Sequence, residues 1–124
     1  MLNLLLVMLG GGLGAGARHL VNMGAARAPV LIPWQTAAIN LCGSFLIGLL
    51  AGWFARRAGT APELRLFLIT GVLGGFTTFS AFSLDFATLW QGGRAMQAAI
   101  YVAASVGGSL LAVFLGLGLA RTLP

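Results

Sequence analysis

One stretch of this chain combines residue types that rarely occur together inside a membrane helix. It reads Gly74-Gly75-Phe76-Thr77-Thr78-Phe79-Ser80-Ala81-Phe82 and lies in an otherwise apolar segment. Adjacent glycines and threonines at this depth predict a local break in the helix near residues 74–78. Backbone groups released from helical hydrogen bonds cannot face lipid, because each unsatisfied polar group costs several kcal/mol there. We therefore expect the break to be buried in protein, to line an aqueous path or to coordinate an ion.

A broken helix offers two kinds of surface that bind ions. Freed carbonyls bind cations, and the exposed N–H groups at the start of the second half-helix attract anions. The carbonyls of Gly74 and Thr77 are candidates to hold a small cation without any carboxylate. Phe79 and Phe82 offer an anion the positive edges of their rings, although packing is the more common role of aromatic side chains.

Hydroxyl and amide side chains elsewhere in the chain supply donors that suit a small, strongly hydrogen-bonding anion. The candidate donors are Asn40, Ser80, Tyr101, Ser105 and Ser109. Several of them recur every four residues and so share one helix face. One such stripe comprises Thr36, Asn40 and Ser44, and the other comprises Tyr101, Ser105 and Ser109. Polar stripes in a membrane span face protein or water rather than lipid.

Asp85 is the one carboxylate close to these donors, and it has two interpretations of about equal weight. It is either a proton carrier, as intramembrane carboxylates often are, or a residue near the membrane surface, since it lies close to Trp90. The sequence contains no Ser-His-Asp set, no paired carboxylates and no cluster of metal-ligand residues. We therefore expect that the protein is not an enzyme.

Composition identifies the elements that must position these residues. Of the 124 residues, 59% are hydrophobic and only 7% are charged, whereas a soluble domain has about 25% charged residues. The sequence thus predicts an all-α integral membrane protein, with a single transmembrane domain over residues 1–124. Spans of about 20 residues fit at 2–23, 32–54, 61–90 and 96–120. A continuous third helix would measure about 45 Å against a hydrocarbon core of about 30 Å, which supports a break within it.

The arginines specify the orientation of the four spans only weakly. Both termini and the loop near residues 55–65 share one side, which holds Arg56, Arg57, Arg65 and Arg121, whereas the other side holds Arg18, Arg27 and Arg94. Cytoplasmic loops normally carry a clear excess of basic residues. Two interpretations remain open: a small protein with few loops, or dual topology with copies inserted both ways. Four small helices can hardly enclose a polar path alone, which favours a dimer.

Three motifs resemble those of the Fluc (CrcB) fluoride channels, and the resemblance covers the whole chain. The motifs are Gly14-Ala15-Gly16-Ala17-Arg18, Asn40-Leu41-Cys42-Gly43-Ser44-Phe45 and the highly specific run from Thr70 to Ser83. The resemblance implies an antiparallel, dual-topology homodimer in the bacterial inner membrane. Such a dimer has two fluoride pores and passively exports fluoride from the cytoplasm, which protects the cell against fluoride toxicity.

The resemblance also implies roles for individual residues. Phe79 and Phe82 would line the pore, with Asn40 as the pore asparagine. The carbonyls of Gly74 and Thr77 would hold a structural sodium ion at the dimer axis. The stripe of Tyr101, Ser105 and Ser109 would form a polar track on the fourth helix, and Arg18 would lie in the vestibule. The sequence departs from the family at Ala81, where Ser or Thr is usual, and at Asp85, where Glu is usual. The second departure leaves the role of that carboxylate open.

Two other classes of membrane protein remain as alternatives. A proton-coupled exporter of the small multidrug-resistance type also has four helices and dual topology, but it needs a carboxylate deep in a substrate-facing helix, and the first span has none. A noncatalytic scaffold subunit would explain the abundant glycines. It would not explain why polar stripes accompany a helix break.

Overall fold

The structure is a computed structural model that describes residues 1–25, 32–57, 59 and 62–123. It has four helical segments that are long and apolar enough to cross a membrane: Leu2–Ala25, Trp34–Arg56, Pro62–Gln91 and Ala95–Ala120. The expected all-α chain with four membrane-spanning helices is therefore confirmed. Arg27, counted above among the basic residues, and Ala61, the predicted start of the third span, lie outside the described residues.

Three of the four segments are uninterrupted α-helices, and the third has four parts. The continuous helices are α1 (Leu2–Ala25), α2 (Trp34–Arg56) and α6 (Ala95–Ala120). The third segment begins with α3 (Pro62–Arg65), widens into a π-helix over Leu66–Leu73, returns to α-helical geometry in α4 (Gly74–Phe76) and ends as α5 (Phe79–Gln91). The π-helix was not predicted from the sequence. Segments of this kind occur often at functional sites.

The interruption of the third segment lies within the predicted range but not at its glycines. Gly74 has helical dihedral angles, φ −62° and ψ −37°, and the extended residues are Thr77 and Thr78. Gly75 serves close packing instead, because a Cβ on it would overlap the backbone of Gly11 in α1. Gly75 therefore lets two helices approach each other, whereas a Cβ on Gly74 would meet no neighbouring helix. The two threonines break the helix.

Glycines mark both of the closest helix contacts in the chain. A Cβ on Gly10 would lie only 2.7 Å from the Phe67 carbonyl oxygen of the π-helix, and one on Gly14 would overlap the backbone of the same segment. The contact between α2 and α6 is equally close at Gly48 and Gly116. Small residues allow such backbone approach in membranes, where packing rather than the hydrophobic effect holds helices together.

A buried cluster and an arginine fix α2, α5 and α6 to one another. The cluster comprises Ala37, Phe82, Leu89, Ala98 and Tyr101, of which Ala98 and Tyr101 are completely buried. At the far end, the Arg56 guanidinium donates to the carbonyl of Ala120 at 3.1 Å and to that of Arg121. These bonds satisfy carbonyls at the end of α6 that lack helical donors. The three helices thus form the frame on which the interrupted helix is held.

Candidate functional site

Two extended threonines form the interruption between α4 and α5. Thr77 has φ −77° and ψ 156°, and Thr78 has φ −154° and ψ 119°. Thr77 finishes the first half-helix, since its amide and its hydroxyl both donate to the Leu73 carbonyl, at 3.0 and 2.9 Å. Thr78 begins the second half-helix as its N-cap, with its Oγ1 accepting from the Ala81 amide at 3.2 Å. This is the usual role of threonine before a helix.

The side chain of Asn40 holds the broken backbone from α2. Its Nδ2 donates to the Thr78 carbonyl at 2.9 Å, and its Oδ1 accepts from the Thr78 amide at 2.8 Å. The backbone amide and carbonyl of Thr78, a residue that is only 8% exposed, are thereby both satisfied. An amide nitrogen carries two hydrogens, so Asn40 retains one donor for another partner. We call this pair of hydrogen bonds the Asn40 clamp.

The interruption also releases backbone carbonyls, among them those of Gly74 and Thr77. In a continuous α-helix the Thr78 amide would donate to the Gly74 carbonyl, and the Ala81 amide to the Thr77 carbonyl. Here those amides donate to Asn40 Oδ1 and Thr78 Oγ1 instead. The described part of the chain contains no group of three or more His, Cys, Asp or Glu residues that could hold a metal ion. The released carbonyls of Gly74 and Thr77 are candidate cation ligands, since carbonyls at helix interruptions can coordinate cations.

Three aromatic rings form a row that leads away from the interruption. The Phe79 and Phe82 ring centroids are 5.4 Å apart with the planes tilted by 44°. The Phe82 and Tyr101 centroids are 5.3 Å apart with a tilt of 33°. Exposure falls sharply along the row, because Phe79 is 77% exposed, Phe82 is 8% exposed and Tyr101 is completely buried. The row thus connects the surface of the protomer to its core.

The polar stripe of α6 follows the buried end of this row. Tyr101 donates its hydroxyl hydrogen to Asp85 Oδ2 at 2.9 Å. Ser105, one turn further on, is 4% exposed. Its Oγ lies beside the Tyr101 hydroxyl but makes no well-aligned hydrogen bond within the described residues. Ser109, another turn on, is half-buried. The hydroxyls of Tyr101 and Ser105 therefore lie side by side in the core, and only that of Tyr101 has a well-aligned acceptor in the part of the chain that the structure describes.

A groove of about 630 Å³ on the protomer surface collects several of the predicted residues. Gly74, Thr77, Asn40, Phe79, Phe82 and Ser109 all line it. The groove therefore joins the released carbonyls, the exposed end of the aromatic row and one hydroxyl of the α6 stripe. Apolar residues of α6, such as Val106 and Leu110, complete its wall.

The remaining predicted residues lie outside this groove. Tyr101 and Ser105 lie in the core beyond Phe82. Ser80 is exposed, and its Oγ is 3.3 Å from the Thr78 hydroxyl. Arg18 is half-buried on α1, the helix that packs against the π-helix and α4. The structure thus brings six of the ten predicted residues into the groove.

Comparison with known proteins identifies the family. A family described as "CrcB-like protein, Camphor Resistance (CrcB)" matches residues 5–117. The chain is 60% identical to a protein of Mesorhizobium japonicum named "Fluoride-specific ion channel FluC", and the match covers 100% of both chains. Proteins with that name from Chelativorans sp. and Rhizobium meliloti are 54% and 52% identical, over 99% and 98% of each chain. The chain belongs to the CrcB family.

Family membership confirms the resemblance inferred from the three motifs. The relatives carry the name of an ion channel rather than that of an enzyme. The four membrane-spanning helices make this CrcB protein a multi-pass membrane protein.

Sequence reasoning overlooked one residue of the site in this CrcB protein and left the contact of another unspecified. Thr78 is both the N-cap of α5 and the partner of Asn40, and the preference of threonine for N-caps was the signal that could have located the break. Asp85 was considered without a partner, and it accepts the Tyr101 hydroxyl. No sequence signal identifies that pair, because the two residues lie on different helices.

Proposed function

We propose that this protein is a fluoride-selective passive channel of the bacterial inner membrane, which lets fluoride leave the cytoplasm and so protects against fluoride toxicity. One observation carries the proposal: the Phe79 and Phe82 rings line a groove beside a clamped helix interruption. The full-length identity of 60% to a protein named as a fluoride-specific ion channel supports it independently.

The lining of the groove suits fluoride because it combines aromatic edges with hydrogen-bond donors. A small anion enters a protein only where other groups replace its hydration shell. Ring edges carry partial positive charge, and the groove adds the Ser109 hydroxyl and the second amide hydrogen of Asn40. We propose that Ser80, Tyr101 and Ser105 supply further donors along the path. Arg18 is proposed to attract anions to its entrance through its positive charge.

We propose that the protein is a homodimer, and the exposure of this groove supports the proposal. Phe79 is 77% exposed and Gly74 is also exposed in the single protomer. Lipid cannot satisfy released carbonyls, so a second copy is the proposed cover. Because basic residues differ little between the two sides of the chain, we propose that the copies insert in opposite orientations. Two symmetry-related grooves then give two pores per dimer.

A structural sodium ion fits the released carbonyls. Gly74 and Thr77 of each protomer would hold it, since carbonyls at helix interruptions coordinate sodium in membrane proteins. When bound, the ion supplies a fixed positive charge between the two interrupted helices. We expect the dimer to unfold at a higher temperature in sodium than in potassium buffer, because a ligand of the folded state stabilises it. Equal unfolding temperatures in the two buffers would contradict the sodium site.

The proposed function is tested by removing the aromatic edges from the groove. The double variant Phe79→Ile, Phe82→Ile keeps apolar bulk but lacks the positive ring edges, so fluoride efflux from liposomes should fall at least tenfold. The matched control is Phe86→Ile, which changes a phenylalanine of the same helix that stacks on Trp90 and does not line the groove. Undiminished efflux from the double variant would contradict the role of the rings.

A further inference from the structure

The Asp85 carboxylate accepts the only hydrogen that the Tyr101 hydroxyl can donate. The donor and acceptor oxygens are 2.9 Å apart and link α6 to α5. Tyr101 is completely buried and Asp85 is half-buried. Since a phenol carries a single O–H donor, Tyr101 has none to offer an anion while this bond exists. A hydrogen bond to a carboxylate is also stronger than one to a neutral acceptor.

The surroundings of this bond indicate a place for a second acceptor. Ser105 lies one turn from Tyr101 on the same face of α6. Its buried Oγ lies beside the Tyr101 hydroxyl but has no well-aligned hydrogen bond in the described part of the chain. Buried hydroxyls normally have well-formed hydrogen bonds, so the Ser105 hydroxyl is available to an additional acceptor beside Tyr101. The ring centroids of Phe82 and Tyr101 are 5.3 Å apart. Phe82 also lines the groove, so it lies between the groove and the hydroxyls of Tyr101 and Ser105.

We infer that Asp85 takes the place of fluoride at Tyr101 when no ion is present. Its carboxylate accepts the Tyr101 hydroxyl hydrogen. A fluoride ion that passes Phe82 takes over this hydrogen bond and adds that of Ser105. The inference rests on the proposed fluoride channel and adds a residue that sets its affinity for the ion.

The exchange has two physical consequences. The Tyr101 hydroxyl is never left unsatisfied in the core, because one acceptor replaces the other as the ion arrives. The displaced carboxylate then repels the bound ion, since like charges a few Å apart in a protein interior disfavour each other. Asp85 thereby lowers the affinity for fluoride and speeds its departure, which suits a conducting site rather than a storage site.

A direct test follows from the fact that Tyr101 is the only tyrosine of the chain. Protein labelled with ¹³C at the tyrosine ζ carbon therefore gives one resonance from this residue. Titration of the dimer in lipid nanodiscs with sodium fluoride should shift that resonance to saturation, and sodium chloride should not. In Asp85→Asn, where the competing acceptor is neutral, half-saturation should occur at a fluoride concentration about tenfold lower. A resonance that ignores fluoride in protein that conducts it would overturn the inference.

A second measurement separates competition for the hydroxyl from the charge of Asp85 alone. The half-saturating fluoride concentration of liposome efflux is compared for the wild type, Asp85→Asn, Tyr101→Phe and the double variant. Competition predicts that Asp85→Asn lowers this concentration only when the Tyr101 hydroxyl is present. Asp85→Glu, which keeps the carboxylate, is the control and should stay close to the wild type.

The outcomes of the two measurements are distinct. An equal effect of Asp85→Asn with and without the Tyr101 hydroxyl means that the carboxylate acts by charge alone, which overturns the inference. If Tyr101→Phe does not conduct, the titration of the Tyr101 resonance in Asp85→Asn provides the test instead. A half-saturating fluoride concentration equal to that of the wild type then overturns the inference. A wild type that carries no fluoride flux would instead contradict the proposed function.

Discussion

The Asn40 clamp yields the sharpest prediction about the architecture of the site. Asn40→Ala removes both the donor to the Thr78 carbonyl and the acceptor of the Thr78 amide. Hydrogen bonds between membrane helices contribute about 0.6 kcal/mol on average and up to about 1.7 kcal/mol each. Loss of the two should therefore destabilise the protein by about 1–3.5 kcal/mol. Asn40→Asp keeps an acceptor for the amide but loses the donor, so it should retain the hydrogen bond of the amide alone.

Two assays measure the consequences of Asn40→Ala. Unfolding in mixed detergent micelles gives the change in free energy, and hydrogen exchange of the Thr78 amide reports the hydrogen bond itself. Because Thr78 is nearly buried, its amide should be protected in the wild type and should exchange at least tenfold faster in the variant. Asn22→Ala, at an exposed position of α1, is the control. Unchanged stability together with unchanged exchange at Thr78 would refute the clamp.

Two further predictions concern the helix contacts that support the site. Gly14→Ala should destabilise the protein by about 1–3 kcal/mol, because its Cβ would overlap the Val72 carbonyl. The control Gly12→Ala, whose Cβ would meet open space, should leave the stability unchanged. Equal thermal unfolding temperatures of the two variants would contradict the contact. Arg56→Ala should speed hydrogen exchange in the last turn of α6, because the guanidinium holds the end of that helix. Exchange no faster than in Arg65→Ala, at an exposed position of α3, would count against that role.

The sequence predicts the helices of this protein well because the membrane imposes a simple rule on it. Each span needs enough apolar residues to cross the bilayer, and composition alone reveals them. The geometry within the third span is a different matter. The π-helix over Leu66–Leu73 has no signature in hydropathy. It forms where the segment packs against Gly10 and Gly14 of α1, a tertiary contact that local patterns do not encode.

The break illustrates why local rules identify a region better than a residue. Glycine has a low helix propensity, so the pair at positions 74 and 75 attracted the prediction. In a membrane, however, glycine also permits close helix packing, and Gly75 has that role against α1. The extended residues are the threonines. The Thr77 hydroxyl adds a second hydrogen bond to the Leu73 carbonyl, and the Thr78 hydroxyl accepts from the Ala81 amide at the start of the second half-helix.

The candidate site was only partly predictable for a related reason. Periodicity shows that Asn40 shares a face with Thr36 and Ser44. It does not show that the side-chain amide of Asn40 forms hydrogen bonds with both the N–H and the carbonyl of Thr78. Likewise Tyr101 was predicted as a donor to an anion, and its hydrogen goes to Asp85 in the structure. Such partners depend on how the helices are placed against one another.

The most direct test of the central claim is ion efflux from liposomes that contain the purified protein. Vesicles loaded with potassium fluoride or potassium chloride are diluted into buffer without the anion, and valinomycin carries the compensating potassium. We predict rapid fluoride release that needs no proton gradient, with chloride release no faster than from empty vesicles. Equal release of both anions would contradict fluoride selectivity, and fluoride release that stops when the proton gradient is abolished would contradict a passive channel.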